Sequence, residues 1–303
     1  MMKRNLFRLV CRQLYCYFFA DRINGKYTQV KAQDHRVNLF DFRPDYEGVD
    51  CYNHSRYNLG DYLGFVVAEF MLKKIGLSLD TWVPKKRHIN SVGATIFSSY
   101  QTTTIWGSGV HHAEGIFLKQ LHYYPLRRLD IRSVRGPLSR EVLLKMGHQC
   151  PAIYGDPAVL MPLIYQPQVE KTDDVLVIVQ IRFEVAFRAK HPGLHMVSMN
   201  TNDYKEVIDA IASSKKVISS SLHGIILAEA YGVPAVIFRS YDKTVDFKYL
   251  DYYASTGRYD VPLADTYEEA CTIDPLPLPD IKPLQEAAMA TFPYDLWEPS
   301  HKN

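Results

Sequence analysis

The chain has 303 residues, with 35 Lys and Arg against 33 Asp and Glu, a formal net charge of +2. A hydrophobic share of 47% with 22% charged residues is a globular composition and excludes an intrinsically disordered chain. The near-neutral balance excludes a general nucleic-acid binder, which needs a basic surplus to neutralise phosphates, but leaves room for a local basic pocket around one small anion.

In residues 1–20, Lys3, Arg4, Arg8 and Arg12 fall close to one helical stripe, and Leu6, Val10, Leu14 and Phe18 trace another. The basic residues interrupt the apolar run, so it does not span a bilayer, and no small-residue cleavage site makes it a signal peptide. Two readings are open: an amphipathic helix lying in an anionic membrane interface, or a helix docked on the protein's own core with its arginines outward. Cys11, Cys16, Cys51, Cys150 and Cys271 are scattered and include no Cys-x-x-Cys pair. They support neither a disulfide framework nor a zinc site, and read as small buried hydrophobes of a cytoplasmic protein.

The remaining pattern alternates strand and helix. A strand is expected at Val37–Phe42, then a polar loop ending at Asn58-Leu59-Gly60-Asp61, then a helix from Tyr62 to Ile75 with apolar residues at helical spacing. Ala94–Ser98, Thr103–Trp106 and Ile131–Val134 have strand length. Pro137–Met146 reads as a helix with proline in its first turn and Gly147 at its end, followed by a short strand at Ala152–Tyr154. The proline- and charge-rich stretch Pro162–Thr172 reads as an interdomain linker.

Beyond it, Val175–Gln180 is a near-continuous apolar run typical of a strand buried in a parallel sheet. Met196–Met199, Lys216–Ser219 and Pro234–Phe238 are further strands, with helices at Asp203–Ala212 and Ile225–Tyr231. The expectation is an α/β chain of two doubly wound, Rossmann-like domains facing a cleft, residues 1–165 and 166–303. A C-terminal helix at about 281–295 has the position to cross back.

In such sheets ligands bind outside the carboxyl ends of the strands, which singles out four loops. They are Asn58-Leu59-Gly60-Asp61, Gly107-Ser108-Gly109, Arg132-Ser133-Val134-Arg135-Gly136 and Ser219-Ser220-Ser221-Leu222-His223-Gly224. Each offers backbone N–H groups, and sometimes a cation, at the positive end of a helix, as an anion site requires. For Gly-Ser-Gly a tight strand-to-helix connection is favoured over a phosphate loop. Ser221 and His223 are too close for a hydrolase pair, and no Gly-x-Ser-x-Gly elbow exists. His223 follows a serine-rich strand end at a helix start, a place where an imidazole is readily tuned. Asp61 reads either as a base or acceptor-orienting group or as a plain helix N-cap. Asp156, in Gly155-Asp156-Pro157, reads as a turn-closing structural residue.

Five segments occur in register: Asn58-Leu59-Gly60-Asp61, Trp106-Gly107-Ser108-Gly109-Val110, Val134-Arg135-Gly136-Pro137-Leu138-Ser139, Gly155-Asp156-Pro157-Ala158 and Ser220-Ser221-Leu222-His223-Gly224. Together they resemble the polysaccharide pyruvyl transferase family over roughly residues 55–250. The stretch from His88 to Ile96 resembles its bacterial exopolysaccharide and capsule branch. The resemblance implies a fold similar to GT-B glycosyltransferases. It implies transfer of the enolpyruvyl carbon of phosphoenolpyruvate onto two hydroxyls of one hexose, galactose or mannose in type, giving a cyclic ketal and phosphate.

No metal or cofactor is implied; phosphoenolpyruvate is itself the donor substrate, held on the C-terminal side, and a glycan, lipid-linked in one version, is the acceptor on the N-terminal side. Arg135 matches the family's donor-binding arginine, and Leu222 and His223 its donor-contacting pair. His223 is then donor ligand and general acid. Asn58, Gly107, Ser108, Gly109, Arg132, Arg182, Ser220, Ser221 and Lys248 are further substrate-binding candidates, with His111, His112 and Lys243 behind them. Two other readings stand beside this one. One is a GT-B glycosyltransferase with Glu229 on a donor ribose; the other is an inactive glycan-binding module. The implied location is cytoplasmic, peripheral at the inner face of the membrane if residues 1–20 bind it.

Overall fold

A computed structural model describes residues 37–39, 57–83, 87–96, 103–111, 129–172, 174–239 and 246–297. The basic N-terminal segment, Cys11, Cys16, Cys51, His112 and Lys243 lie outside the described residues.

Among the described residues, two four-stranded, wholly parallel sheets organise the chain. The first runs β1 (Val37–Leu39), β2 (Arg87–Asn90), β3 (Thr103–Trp106) and β4 (Leu129–Ser133) in that order. All four residues of β3 are buried, as a central parallel strand covered on both faces requires. The expected strand Ala152–Tyr154 contributes a single bridge, Val134 to Tyr154. The expected strand Ala94–Ser98, whose last two residues lie outside the described residues, is corrected over Ala94–Ile96: the strand lies earlier, at β2. Gly93 at φ 92° breaks the extended run, and the Asn90 side-chain amide closes the turn onto the Thr95 carbonyl.

Helix α1 (Leu59–Lys73) begins before the apolar pattern does, and α2 (Pro137–Lys145) carries proline in its first turn. A 3-10 helix follows at Pro157–Leu163; its first five residues are buried. The second sheet is β5 (Val175–Ile178), β6 (Lys216–Ser219), β7 (Ala235–Phe238) and β8 (Leu263–Ala264), again in chain order. Between and after these strands come α3 (Ile181–Lys190), α4 (Tyr204–Ser213), α5 (Leu222–Ala230), α6 (Asp246–Ser255), α7 (Tyr267–Thr272) and α8 (Lys282–Ala290). Met196–Met199 shrinks to one bridge from Met196 to Val177.

One apolar cluster draws on both sheets, including Leu63 and Trp106 from the first half and Ile178, Ile225 and Trp297 from the second. The 3-10 helix packs in it against α1, α5 and α8. The C-terminal segment lies on the first sheet: the Trp106 indole N–H donates to the Ala288 carbonyl at 2.8 Å, and Phe292 packs edge-on to Trp106. Cys150 is buried as expected, whereas Cys271 is exposed on the short α7 and corrects the expectation of five buried thiols. Among the described residues no helix is long and apolar enough to cross a membrane.

Candidate functional site

The first turns of α1 and α5 meet. His223 is the second residue of α5 and is 9% exposed. Its ring lies close against Gly60, where any Cβ would fall on Nδ1, Cε1 and Cγ. Glycine is therefore the residue that lets the imidazole reach this helix start. Asp61, the third residue of α1, is buried and accepts a hydrogen bond from the Asn58 amide at 3.2 Å. Asn58, not Asp61, holds the N-cap position, so the plain-cap reading of Asp61 is corrected. A carboxylate in the first turn is favoured by the helix dipole.

Gly93, with its positive φ, fits between these groups. A Cβ there would stand 2.8 Å from Asp61 Oδ1 and 3.6 Å from His223 Cε1. The Gly93 amide donates to Asp156 Oδ2 at 3.2 Å. The same oxygen lies 3.7 Å from His223 Nε2. Asp156 Oδ1 accepts the Ala158 amide and caps the 3-10 helix. Asp156 does close the turn, as its sequence context indicates. Its second oxygen does more, and the sequence carried no signal for that because Asp156 and His223 are far apart along the chain. The result is an imidazole beside the buried Asp156 carboxylate, with the buried Asp61 carboxylate close by at Gly93, an arrangement suited to proton transfer.

The serine-rich turn is a locked platform. The Ser219 hydroxyl accepts from the Ser221 amide, the Ser220 hydroxyl accepts from the Gln180 amide, and Tyr249 OH donates to the Ser220 carbonyl. Leu222 is core, and Ser221 is the N-cap of α5 without a side-chain capping bond. The Gly-Ser-Gly turn is also framework. The Gly107 amide donates to the Ser133 carbonyl and the Gly109 amide to the Gly93 carbonyl. The Ser108 hydroxyl accepts from the Thr95 amide and donates to the Gly93 carbonyl. These donors fix the Gly93 turn, in keeping with the tight connection that the motif favours over a phosphate loop.

Arg135 is fully buried. Its Nε donates to Asp251 Oδ2 at 3.0 Å, its Nη2 donates to the Val110 carbonyl at 2.7 Å, and its guanidinium covers Gly109. Nη1 has no hydrogen-bond partner among the described residues. Asp251, on α6, also accepts the Ser139 amide and hydroxyl. It thereby caps α2 from outside, where the N-cap residue Gly136 has no side chain to do so. Nothing in the local sequence around Asp251 announces this role; the pairing joins residues 116 positions apart.

Arg132 is engaged by Asp130 and Asp295, whose hydrogen bonds raise its already high pKa further. Arg182 lies over the Phe183 ring in the first turn of α3. Lys248 is buried on α6 over the Tyr249 ring. His111 is exposed after the Gly-Ser-Gly turn. Glu229 is bound by both terminal guanidinium nitrogens of Arg258 and by Tyr252 OH. With both oxygens committed in a buried cluster, Glu229 is no ribose ligand. The structure thus brings His223, Asp61 and Asn58 together and adds Gly60, Gly93 and Asp156 to them.

No curated protein matches the chain in a sequence comparison. Among solved structures, an uncharacterised protein from Klebsiella pneumoniae aligns at 11% identity and a TM-score of 0.46, over 81% of this chain and 97% of its own. A family model described as polysaccharide pyruvyl transferase matches residues 28–242. That span covers well over half of the chain and contains Asp61, Gly93, Arg135, Asp156 and His223, and the chain belongs to the polysaccharide pyruvyl transferase family.

Proposed function

We propose that the protein is a phosphoenolpyruvate-dependent ketal pyruvyltransferase of bacterial capsule or exopolysaccharide assembly, acting on a hexose, galactose foremost, of a glycan precursor. The observation that carries this reading is the buried His223 beside Asp156, with Asp61 near it at Gly93, inside the span that the family model matches. The reaction places one proton on the methylene carbon of phosphoenolpyruvate, which generates an oxocarbenium-like centre. One sugar hydroxyl adds to that carbon, phosphate leaves with its bridging oxygen, and a second hydroxyl of the same sugar closes the ketal. The two hydroxyl protons replace the one spent on the methylene and supply one to phosphate or solvent.

His223 is the group that delivers the first proton, and Asp61 the base that receives one from a hydroxyl. Arg135 Nη1, the guanidinium nitrogen with an open donor, serves a donor oxyanion, with Ser221, Arg182 and Lys248 toward the same substrate. The chemistry as written needs neither metal nor cofactor, because the donor carries its own leaving group. In this reading residues 1–165 and 166–303 face each other as in GT-B enzymes, with acceptor on the first and donor on the second. A lipid-linked acceptor would be met at the inner face of the cytoplasmic membrane by residues 1–20.

The test is incubation with phosphoenolpyruvate and a lipid-linked galactosyl acceptor. Phosphate release and a product heavier by pyruvate minus water are expected, with turnover nearly abolished in His223→Ala. No phosphate release with any hexose acceptor refutes the reading. Liposome co-sedimentation lost on removing residues 1–20 supports the membrane contact, and sedimentation unchanged by the truncation refutes it.

A further inference from the structure

The carboxylate behind His223 does more than close its turn. Asp156 is fully buried, and capping the 3-10 helix occupies only its Oδ1. Its Oδ2 is held by the Gly93 amide and faces His223 Nε2 at 3.7 Å. That nitrogen is itself buried and has no hydrogen-bond partner among the described residues. On the opposite edge the ring rests on Gly60, and the other carboxylate near it is Asp61, across Gly93. A buried ring N–H beside an immobile carboxylate is stabilised relative to a bare ring nitrogen there, whose lone pair would oppose the anion. The separation exceeds a hydrogen bond, but it is the loose contact that such pairs show before substrate tightens them.

We propose that Asp156 is the positioning residue for His223: it fixes a proton on Nε2, leaves Nδ1 as the nitrogen that takes up and delivers the transferred proton, and holds the ring against Gly60. This rests on the reading of His223 as the proton-transferring group, and it gives that residue a partner of its own. The effect of Asp156 on transfer passes through His223, so the two residues act as a unit.

The experiment uses the full chain with ring-¹⁵N-labelled histidine, His223 being assigned through His223→Gln. The expected wild-type spectrum places the proton on Nε2, and folded Asp156→Asn shifts signal to the Nδ1–H form. In phosphate-release assays Asp156→Asn lowers kcat roughly 10- to 100-fold, the usual effect of removing a group that orients a functional imidazole, with the KM for phosphoenolpyruvate little changed. In the His223→Gln background the same substitution lowers kcat by less than about twofold, because the unit is already broken. A wild-type ring protonated on Nδ1 overturns the proposal whether or not the variant folds. Identical ring spectra in wild type and folded Asp156→Asn overturn it as well, as does an undiminished kcat loss in the His223→Gln background. Absence of any phosphoenolpyruvate turnover refutes the proposed function alone, and the ring spectra then decide the role of Asp156.

Discussion

Asp251→Ala tests the buried link between α2 and α6. The substitution leaves the Arg135 guanidinium fully buried, with the Val110 carbonyl as its remaining acceptor among the described residues. It also strips α2 of the carboxylate that accepts the Ser139 amide and hydroxyl. Breaking a buried ion pair by removing one partner costs about 3–5 kcal/mol. Loss of a helix cap costs about 1 kcal/mol on its own, although the two share one side chain and will not simply add. Against a whole-protein stability of roughly 5–15 kcal/mol, that is a large share of the total.

Urea denaturation followed by circular dichroism measures this as a fall in midpoint at constant slope. Replacing the pair together, Arg135→Met with Asp251→Leu, removes the uncompensated charge and recovers most of the loss. A loss below about 1 kcal/mol in Asp251→Ala would refute the argument, because an unpaired buried guanidinium cannot be that cheap. So would a double variant no more stable than the single one. The same arithmetic applies to Arg135→Ala, which exposes Asp251 to the same fault. Its activity therefore bears on donor binding only when measured on folded protein.

Gly60→Ala, which would ordinarily strengthen a helix by about 1 kcal/mol, should lower the melting temperature and displace the His223 ring resonances, since its Cβ falls on the ring. An unshifted ring spectrum would show that the close approach is not present in solution. Trp106→Phe deletes the 2.8 Å bond to the Ala288 carbonyl and should cost about 1–3 kcal/mol. Hydrogen exchange should speed first in residues 282–297, and uniform acceleration across the chain would contradict a locally anchored C-terminal segment. Burial pushes the Cys150 thiol up to about 11, partly offset by Arg140, so in native protein at pH 8 it is overwhelmingly the unreactive thiol. Peptide mapping after iodoacetamide should show Cys271 modified well before Cys150, with the difference abolished in denaturant; equal native rates would refute the burial.

Much of the framework was legible in the sequence because its signals are local. Thr103–Trp106, a short run of strand length, and Lys216–Ser219, which leads into a serine-rich turn, are both strands with the expected bounds. Pro137 and Gly147 punctuate α2 at both ends. Ala94–Ser98 misled because its apolar residues satisfy the strand pattern while Gly93 and Asn90 fold the chain into a turn just before it. The Gly-Ser-Gly motif is ambiguous for a related reason: a loop that holds a phosphate and a loop that holds another turn use the same residues, and their hydrogen-bond partners, here Thr95 and Gly93, decide for the turn.

Local signals along the chain carry the alternation of strand and helix, the parallel character of the strands and the placement of His223 and Asp61 at helix starts. All of these follow from periodicity and from propensities that act within a few residues. What only the tertiary structure decided is which groups those helix starts face. Asp156 comes to His223, Gly60 makes room for its ring, and Asp251 neutralises Arg135 and caps α2 through contacts between segments distant along the chain. Such pairings leave no local trace, because burial and charge compensation depend on what packs opposite, and that is fixed only when the two sheets and the C-terminal segment close around one shared core.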